Sequence, residues 1–411
     1  MTTTTPQPTA AARPPADPGD GSVTSAQLRA IVGELGDRYL ERSSVVKALV
    51  ACMLAGEHSL LLGPPGTAKS ELARDLTGRI QDARLWEVLL SKYTDPKQLF
   101  GPIDVAALMQ GRYEQVWDGR ATTANIAFID EIGKCGPAAL NGMLAYLNER
   151  LYHPEAGGSP IRCALLSAIC ASNEVLEGQE SAAIYDRLLV RLEVGYLADV
   201  SNFATLIRSA TAPAVPPVAP TTVLLADVEN AVRVHVPRIE VPDPMIDAVC
   251  TLRTALHHEG LIASDRRWKK SIRLLQAAAF LDGRRAVTSN DMALLTHVLW
   301  DSPAEKTTVE QQVLQLVNPD AKEALDMLDG IDAIEAELNK LAGQSREKLA
   351  EWGIREANPT LARSARRLKE LLEQSTATGR STDTLNEVIA RHRAVNSRVM
   401  TEALNMQPTG I

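Results

Sequence analysis

From Ser25 the apolar residues Leu28, Ile31, Val32 and Leu35 recur at three- and four-residue spacing, which predicts a helix that ends near Gly36. Val45, Val46, Leu49, Val50 and Met53 predict a second helix, running to Gly56. Then the pattern changes. Leu60, Leu61 and Leu62 form a short unbroken apolar run, and similar runs recur at residues 84–90 (RLWEVLL), 126–129 (IAFI) and 165–171. Short uniform runs separated by helical stretches predict buried parallel strands in an α/β domain. Residues 188–192 (LLVRL) fit a strand or a helix equally well. Residues 209–222 (SATAPAVPPVAPTT) are too rich in proline for regular structure and read as a linker. Residues 223–303 carry helical periodicity without strand alternation. Three further helices are expected in 304–411: one on Met327, Ile331, Ile334, Leu338 and Leu341, one on Leu361, Leu368 and Leu371, and one on Leu385, Ile389, Val395 and Leu404. The expected organisation is a disordered Thr/Pro/Ala-rich tail over 1–24, an α/β nucleotide domain over 25–208, a linker over 209–222, a helical lid over 223–303 and a C-terminal helical domain.

The strand at Leu60–Leu62 runs into Gly63-Pro64-Pro65-Gly66-Thr67-Ala68-Lys69-Ser70, and Glu71-Leu72-Ala73-Arg74 then read as a helix. Strand, glycine loop, Lys-Ser and helix are the context of a phosphate-binding P-loop. Backbone N–H groups of such a loop and the helix dipole converge on one anion. Lys69 is placed to reach the β- and γ-phosphates as a point charge, and Ser70 to put its hydroxyl on Mg²⁺. Ala68 stands where glycine is usual, which implies an ordinary negative φ there.

The second half of a site follows. The run at 126–129 ends in Asp130-Glu131. An aspartate at that strand tip can hold Mg²⁺, and the adjacent glutamate can polarise a water for in-line attack on a γ-phosphate. The run at 165–171 ends in Ser172-Asn173-Glu174, where an amide would orient that water. Further on, Tyr185-Asp186-Arg187 leads to Arg191, and Ala263-Ser264-Asp265-Arg266-Arg267-Trp268 opens an apolar helix. Arginines in a first helical turn oppose the dipole, at a cost of about 0.3–1 kcal/mol, which suggests that they face an anion.

Composition narrows the function. A net charge of -8 argues against general nucleic-acid affinity. The five cysteines show no CxxC pairing, the pattern of a reducing cytoplasm. The seven histidines form no ligand cluster. No apolar run is long enough to span a membrane, and no secretory apolar segment follows Met1.

With GPPGTAKS, IAFIDEI, ASNE, YDRLLVR and ASDRRWKKS in this order, residues 39–300 resemble the MoxR family of AAA+ ATPases, most closely the RavA (regulatory ATPase variant A) group. The resemblance implies a five-stranded parallel nucleotide domain, a helical lid, and a homo-oligomeric ring, usually a hexamer, with ATP and Mg²⁺ between subunits. It implies that Gly63 to Ser70 and Asp130 bind the nucleotide and its metal, and that Glu131 is catalytic. Asn173 matches the sensor-1 position. Arg187 matches the arginine that reaches the neighbour's γ-phosphate, and Arg266 the sensor-2 arginine of the lid, with Arg267 competing for that role. Residues 103–117, bending at Gly111, match an inserted hairpin, and 151–162, turning at Gly157-Gly158, a second one. The β-rich module that RavA sets into its helical arm has no counterpart here. The function implied is chaperone-like remodelling of a client protein together with a von Willebrand factor type A (vWA) domain partner. The alternatives are the motor subunit of a metal chelatase, a nucleic-acid motor, and a nucleotide-gated scaffold with negligible turnover.

Overall fold

A computed structural model describes residues 21–154, 159–174, 184–211, 219–378 and 380–406. The described chain forms two compact units, one from residues 21–243 with 263–303, the other from 244–262 with 304–406. The expected tail lies almost wholly outside the described residues. So do 212–218 of the expected linker, whose first three residues, 209–211, instead complete a helix, and the turn at Gly157-Gly158.

The first unit is built on five strands: β1 (His58–Leu62), β2 (Leu85–Leu89), β3 (Ile126–Asp130), β4 (Ser167–Ser172) and β5 (Leu188–Glu193). They pair in parallel in the order β2-β3-β4-β1-β5. All residues of β1 and β4 are buried, which is why their sequences are uniform rather than alternating. At the β2 edge, Trp86 points inward and Leu89 stays exposed.

Helices α1 (Ser22–Arg38) and α2 (Ser43–Leu54) pack together, and α2 lies against β1, β4 and β5. Helix α3 (Lys69–Gly78) leaves the loop after β1, α4 (Pro137–Glu149) follows β3, and α5 (Val200–Thr211) follows β5. Helix α6 (Asp265–Leu281) returns to pack on α1, α2 and β5. That cover explains the ambiguous run at 188–192. Leu188 to Leu192 are buried throughout, so a strand forms without the alternation that would have revealed it.

His58, fully buried, fixes the amino-terminal end of the central strands. Its Nε2–H donates to the Leu147 carbonyl at 2.7 Å, and its Nδ1 accepts from the Ala168 N–H at 2.8 Å. Burial, aided by Arg150, holds this imidazole neutral, well below its usual pKa. The last turn of α4 is thereby pinned where β1 and β4 begin.

Residues 103–117 hold a short helix, Val105–Met109, closed by an antiparallel bridge between Ile103 and Gln115; Gly111 takes φ +74° just beyond the helix. Leu151–Tyr152 pairs antiparallel with Ile161–Arg162. The second unit is helical. Pro319–Leu341, Asn358–Thr378 and Asp383–Arg398 bury Ile331, Leu338, Leu361, Leu368, Leu371, Leu385 and Val395 in one core. No described helix is long and apolar enough to cross a membrane.

Candidate functional site

The carboxyl ends of β1, β3 and β4 bring the predicted motifs together, where open parallel sheets place their ligands. After Leu62 the chain turns at Gly63, whose φ is +155°. A Cβ there would fall 2.1 Å from the Val194 carbonyl oxygen, so only glycine fits. Gly66 takes φ +79°. Ala68 corrects the expectation stated above: it sits at φ +62°, ψ 21°, in the left-handed region, one residue before α3. The loop needs that bend to aim its N–H groups, and the alanine methyl bears it at a cost of about 1–2 kcal/mol. Ala68→Gly is therefore expected to raise stability by up to about 1 kcal/mol, part of the strain relief being offset by glycine's greater chain entropy. Thermal unfolding checks this; a loss of more than that amount would show the conformation to be unstrained.

Lys69, 7% exposed, folds back over the loop. Its Nζ donates to the carbonyls of Gly63 at 2.6 Å and Pro64 at 2.8 Å, and to Asn173 Oδ1 at 2.9 Å. Burial lowers its pKa, while Asp130 and Glu131 oppose the shift. Ser70 Oγ lies 3.5 Å from Asp130 Oδ2. A hydroxyl and a carboxylate at this spacing, with no nitrogen or sulfur donor, suit Mg²⁺, which takes a few protein oxygens and completes its shell with phosphate and water.

Glu131 is itself left-handed at φ +54°. A non-glycine residue held there beside other functional groups is the kind of local strain found at working sites. The strain turns its carboxylate toward Asn173, whose Nδ2–H donates to Glu131 Oε1 at 2.5 Å; the other oxygen pairs with Lys134 at 3.3 Å. Asn173 thus links cation to carboxylate, its oxygen toward Lys69 and its nitrogen toward Glu131. Five predicted residues, Lys69, Ser70, Asp130, Glu131 and Asn173, meet at one place.

A cavity of about 600 Å³ adjoins Gly66, Thr67 and Ala68, with Tyr39, Leu40, Leu72, Phe203 and Leu206 on its walls. Its lining is mostly apolar, with Asp37, Arg38, Arg42 and Glu71 also on it, and it is large enough for a nucleoside. Tyr196 donates from its hydroxyl to the Pro65 carbonyl at 3.3 Å, and Glu41 receives the N–H groups of Ala198 and Asp199. These contacts lower the Glu41 carboxyl's pKa and hold α5 beside the loop. Apart from the loop residues, this wall did not stand out in the sequence, because it comes from segments about 160 positions apart. The apolar spacing Val200, Phe203, Leu206 and Ile207, exposed in the structure, was the available signal.

Arg187 and Arg266 are elsewhere. Leu188 opens β5 opposite His58, the first residue of β1, whereas the P-loop follows Leu62. Five residues of strand, about 15 Å, separate Arg187 from the loop of its own chain. Arg266 donates to Asn148 in the last turn of α4, beside Leu147 and so at the same edge. Arg267 and Arg191 point inward. Arg267 pairs with Asp301 at 2.8 Å and approaches Asp186 at 3.8 Å. Arg191 has no exposed side-chain surface and lies over the rings of Tyr185 and Trp300. Burial, with the nearby Arg267 charge, pushes the Arg191 pKa down to about 10, still charged at neutral pH.

A parallel β2-β3-β4-β1-β5 sheet, with a P-loop after β1, paired acids after β3, a polar tip after β4 and a helical lid beyond, defines an AAA+ ATPase. The chain belongs to the MoxR family of that class. Residues 26–214 match the model of the MoxR domain in MoxR–vWA–β-propeller ternary systems, and 244–313 match an AAA lid domain. An uncharacterised protein of Methanocaldococcus jannaschii is 33% identical over 76% of this chain and 82% of its own. A second from the same organism is 30% identical over 91% of this chain and 97% of its own. A crystal structure from Cytophaga hutchinsonii, described as that of a candidate ATPase, superimposes with a TM-score of 0.58 at 17% identity, over 72% of this chain and 95% of that one, and shows the shared fold.

Proposed function

We propose that the protein hydrolyses ATP with Mg²⁺ at sites between the subunits of a homo-oligomeric ring, a hexamer, and uses the energy to remodel a client protein. The carrying observation is the Lys69–Asn173–Glu131 chain over Ser70 and Asp130, with Arg187 and Arg266 at the far edge of the same sheet. Lys69 and the N-terminus of α3 receive the β- and γ-phosphates. Ser70 and Asp130 hold Mg²⁺, which neutralises charge on the phosphoryl oxygens. Glu131 accepts the proton of the attacking water, and Asn173 fixes that water's position. The apolar cavity takes the base and ribose. Arg187 and Arg266 face the γ-phosphate of the adjacent subunit, since neither reaches its own.

The partner we propose is a vWA-domain protein, supported by the ternary systems named in the matching family description. The RavA affinity rests on motif order alone. Magnesium-dependent phosphate release by the purified protein, with native mass spectrometry for the ring and co-purification for the partner, tests this reading. ATP turnover that persists in EDTA would overturn the metal assignment.

Nucleic acid should neither bind tightly nor stimulate hydrolysis. In the RRWKK stretch Arg267 is paired inside the unit, Lys270 bonds Glu57 at 2.5 Å, Arg266 bonds Asn148 and Trp268 is buried. Sub-micromolar, salt-dependent DNA or RNA binding accompanied by ATPase stimulation would contradict this.

A further inference from the structure

Arg191 and Arg267, from β5 and α6, converge on one oxygen of Asp301: Arg267 Nη2 at 2.8 Å and Arg191 Nη1 at 3.3 Å. Buried guanidinium groups stay in a core only when paired and hydrogen-bonded. Both also reach the turn that carries Arg187. Arg191 Nη2 donates to the Tyr185 carbonyl at 2.8 Å, and its guanidinium lies 4.8 Å above the Tyr185 ring. Arg267 faces Asp186, which also accepts from the hydroxyl of Ser264, the N-cap of α6, at 3.4 Å. The turn closes with the Arg187 N–H on the Ile184 carbonyl at 2.8 Å. The two residues preceding Arg187 are thus both gripped by a network centred on Asp301. That network includes α6, the helix that also carries the exposed Arg266.

We infer that Asp301, Arg191 and Arg267 form a clamp that positions Arg187 and sets its spacing from Arg266, so that the two arginines are presented together to the neighbouring subunit's nucleotide. The inference rests on the reading of Arg187 as a group acting across the interface. It makes Arg267 a positioning residue rather than a nucleotide contact, and does the same for Arg191. The carboxyl of Asp301 fits the part. Burial alone would raise its pKa, yet the Arg267 hydrogen bond and the two guanidinium charges leave it below the usual carboxylate value.

The test is Asp301→Asn, which keeps shape and one acceptor but removes the charge. Because misplacing a catalytic group by about 1 Å costs up to about 10²-fold, kcat should fall about 10–10²-fold with KM for ATP unchanged. Asp301→Glu should recover part of the loss. In mixed rings Asp301→Asn subunits should behave as finger-deficient ones: activity rises above the sum of the separate rates when they are mixed with Lys69→Ala subunits, and does not rise with Arg187→Ala subunits. In an Arg187→Ala background, adding Asp301→Asn should change the single-turnover rate less than about twofold, as expected of two changes acting through one group. Should Asp301→Asn not fold, half-exposed Asp186→Asn is read the same way. An equal loss in the Arg187→Ala background, a weakened ATP affinity, or rescue by Arg187→Ala subunits would overturn the clamp. A parental rate in Arg187→Ala itself would instead remove the interface reading on which the clamp depends.

Discussion

Glu131→Gln should bind ATP as the parent does and lose about 10²–10⁴-fold in turnover, the range ascribed to a positioned general base. Glutamine keeps the oxygen that accepts from Asn173, so the Lys69–Asn173 side of the site is undisturbed. What disappears is the carboxylate that takes a proton from water. The pairing with Lys134 is lost too, an ion pair at the edge of the site that contributes at most about 1 kcal/mol. Lys69→Ala should do the opposite and abolish binding. Its ammonium bonds two loop carbonyls and Asn173, so removal deletes the cation opposite the triphosphate and loosens the loop as well. Nucleotide binding by fluorescence and single-turnover hydrolysis separate the two variants. Parental turnover by Glu131→Gln would remove the glutamate from the mechanism.

Arg187→Ala should bind ATP nearly normally and hydrolyse it about 10³–10⁵-fold more slowly, the span attributed to arginine fingers. The register of β5 against β1 puts this residue at the end of the strands opposite the P-loop, so on the proposed reading its effect on phosphate chemistry comes through a neighbour's site. Arg191→Ala should differ in kind. It would leave the buried Tyr185 carbonyl without its donor, while the largely exposed Asp301 keeps Arg267, with a destabilisation of about 1–3 kcal/mol for the unsatisfied buried group. Loss of stability, rather than catalysis lost from an equally stable protein, is the expected signature of Arg191.

The P-loop and the Asp130-Glu131 tip were legible because their chemistry is local. A glycine loop between strand and helix, and two acids ending an apolar run, leave few other readings once they occur together. Asn173 needed those two motifs for context, and the hydrogen bonds to Lys69 and Glu131 then put it where the context implied. Backbone conformation was less legible. An alanine in the left-handed region looks like any alanine, and Ala68 shows its strain only in φ. The run at 188–192 hid its strand because both faces are covered. Arg266 and Arg267 are neighbours in sequence, but one helical step turns them about 100° apart, so one faces solvent and the other Asp301. Only tertiary packing separates them. The cavity beside the P-loop was hidden for the same reason, since Tyr39 and Phe203 meet through the fold and not through any motif.

The central claim is that one active site is assembled from two subunits. Mixing Lys69→Ala with Arg187→Ala subunits, with exchange followed by native mass spectrometry of tagged rings, tests it most directly. Neither variant alone should hydrolyse ATP at a measurable steady rate. In mixed rings, each intact P-loop that lies beside a subunit with an intact Arg187 should fire, so activity should appear and depend on the mixing ratio. Mixed rings that remain as inactive as their parents after proven exchange would contradict the account and return Arg187 to an ordinary place within its own subunit.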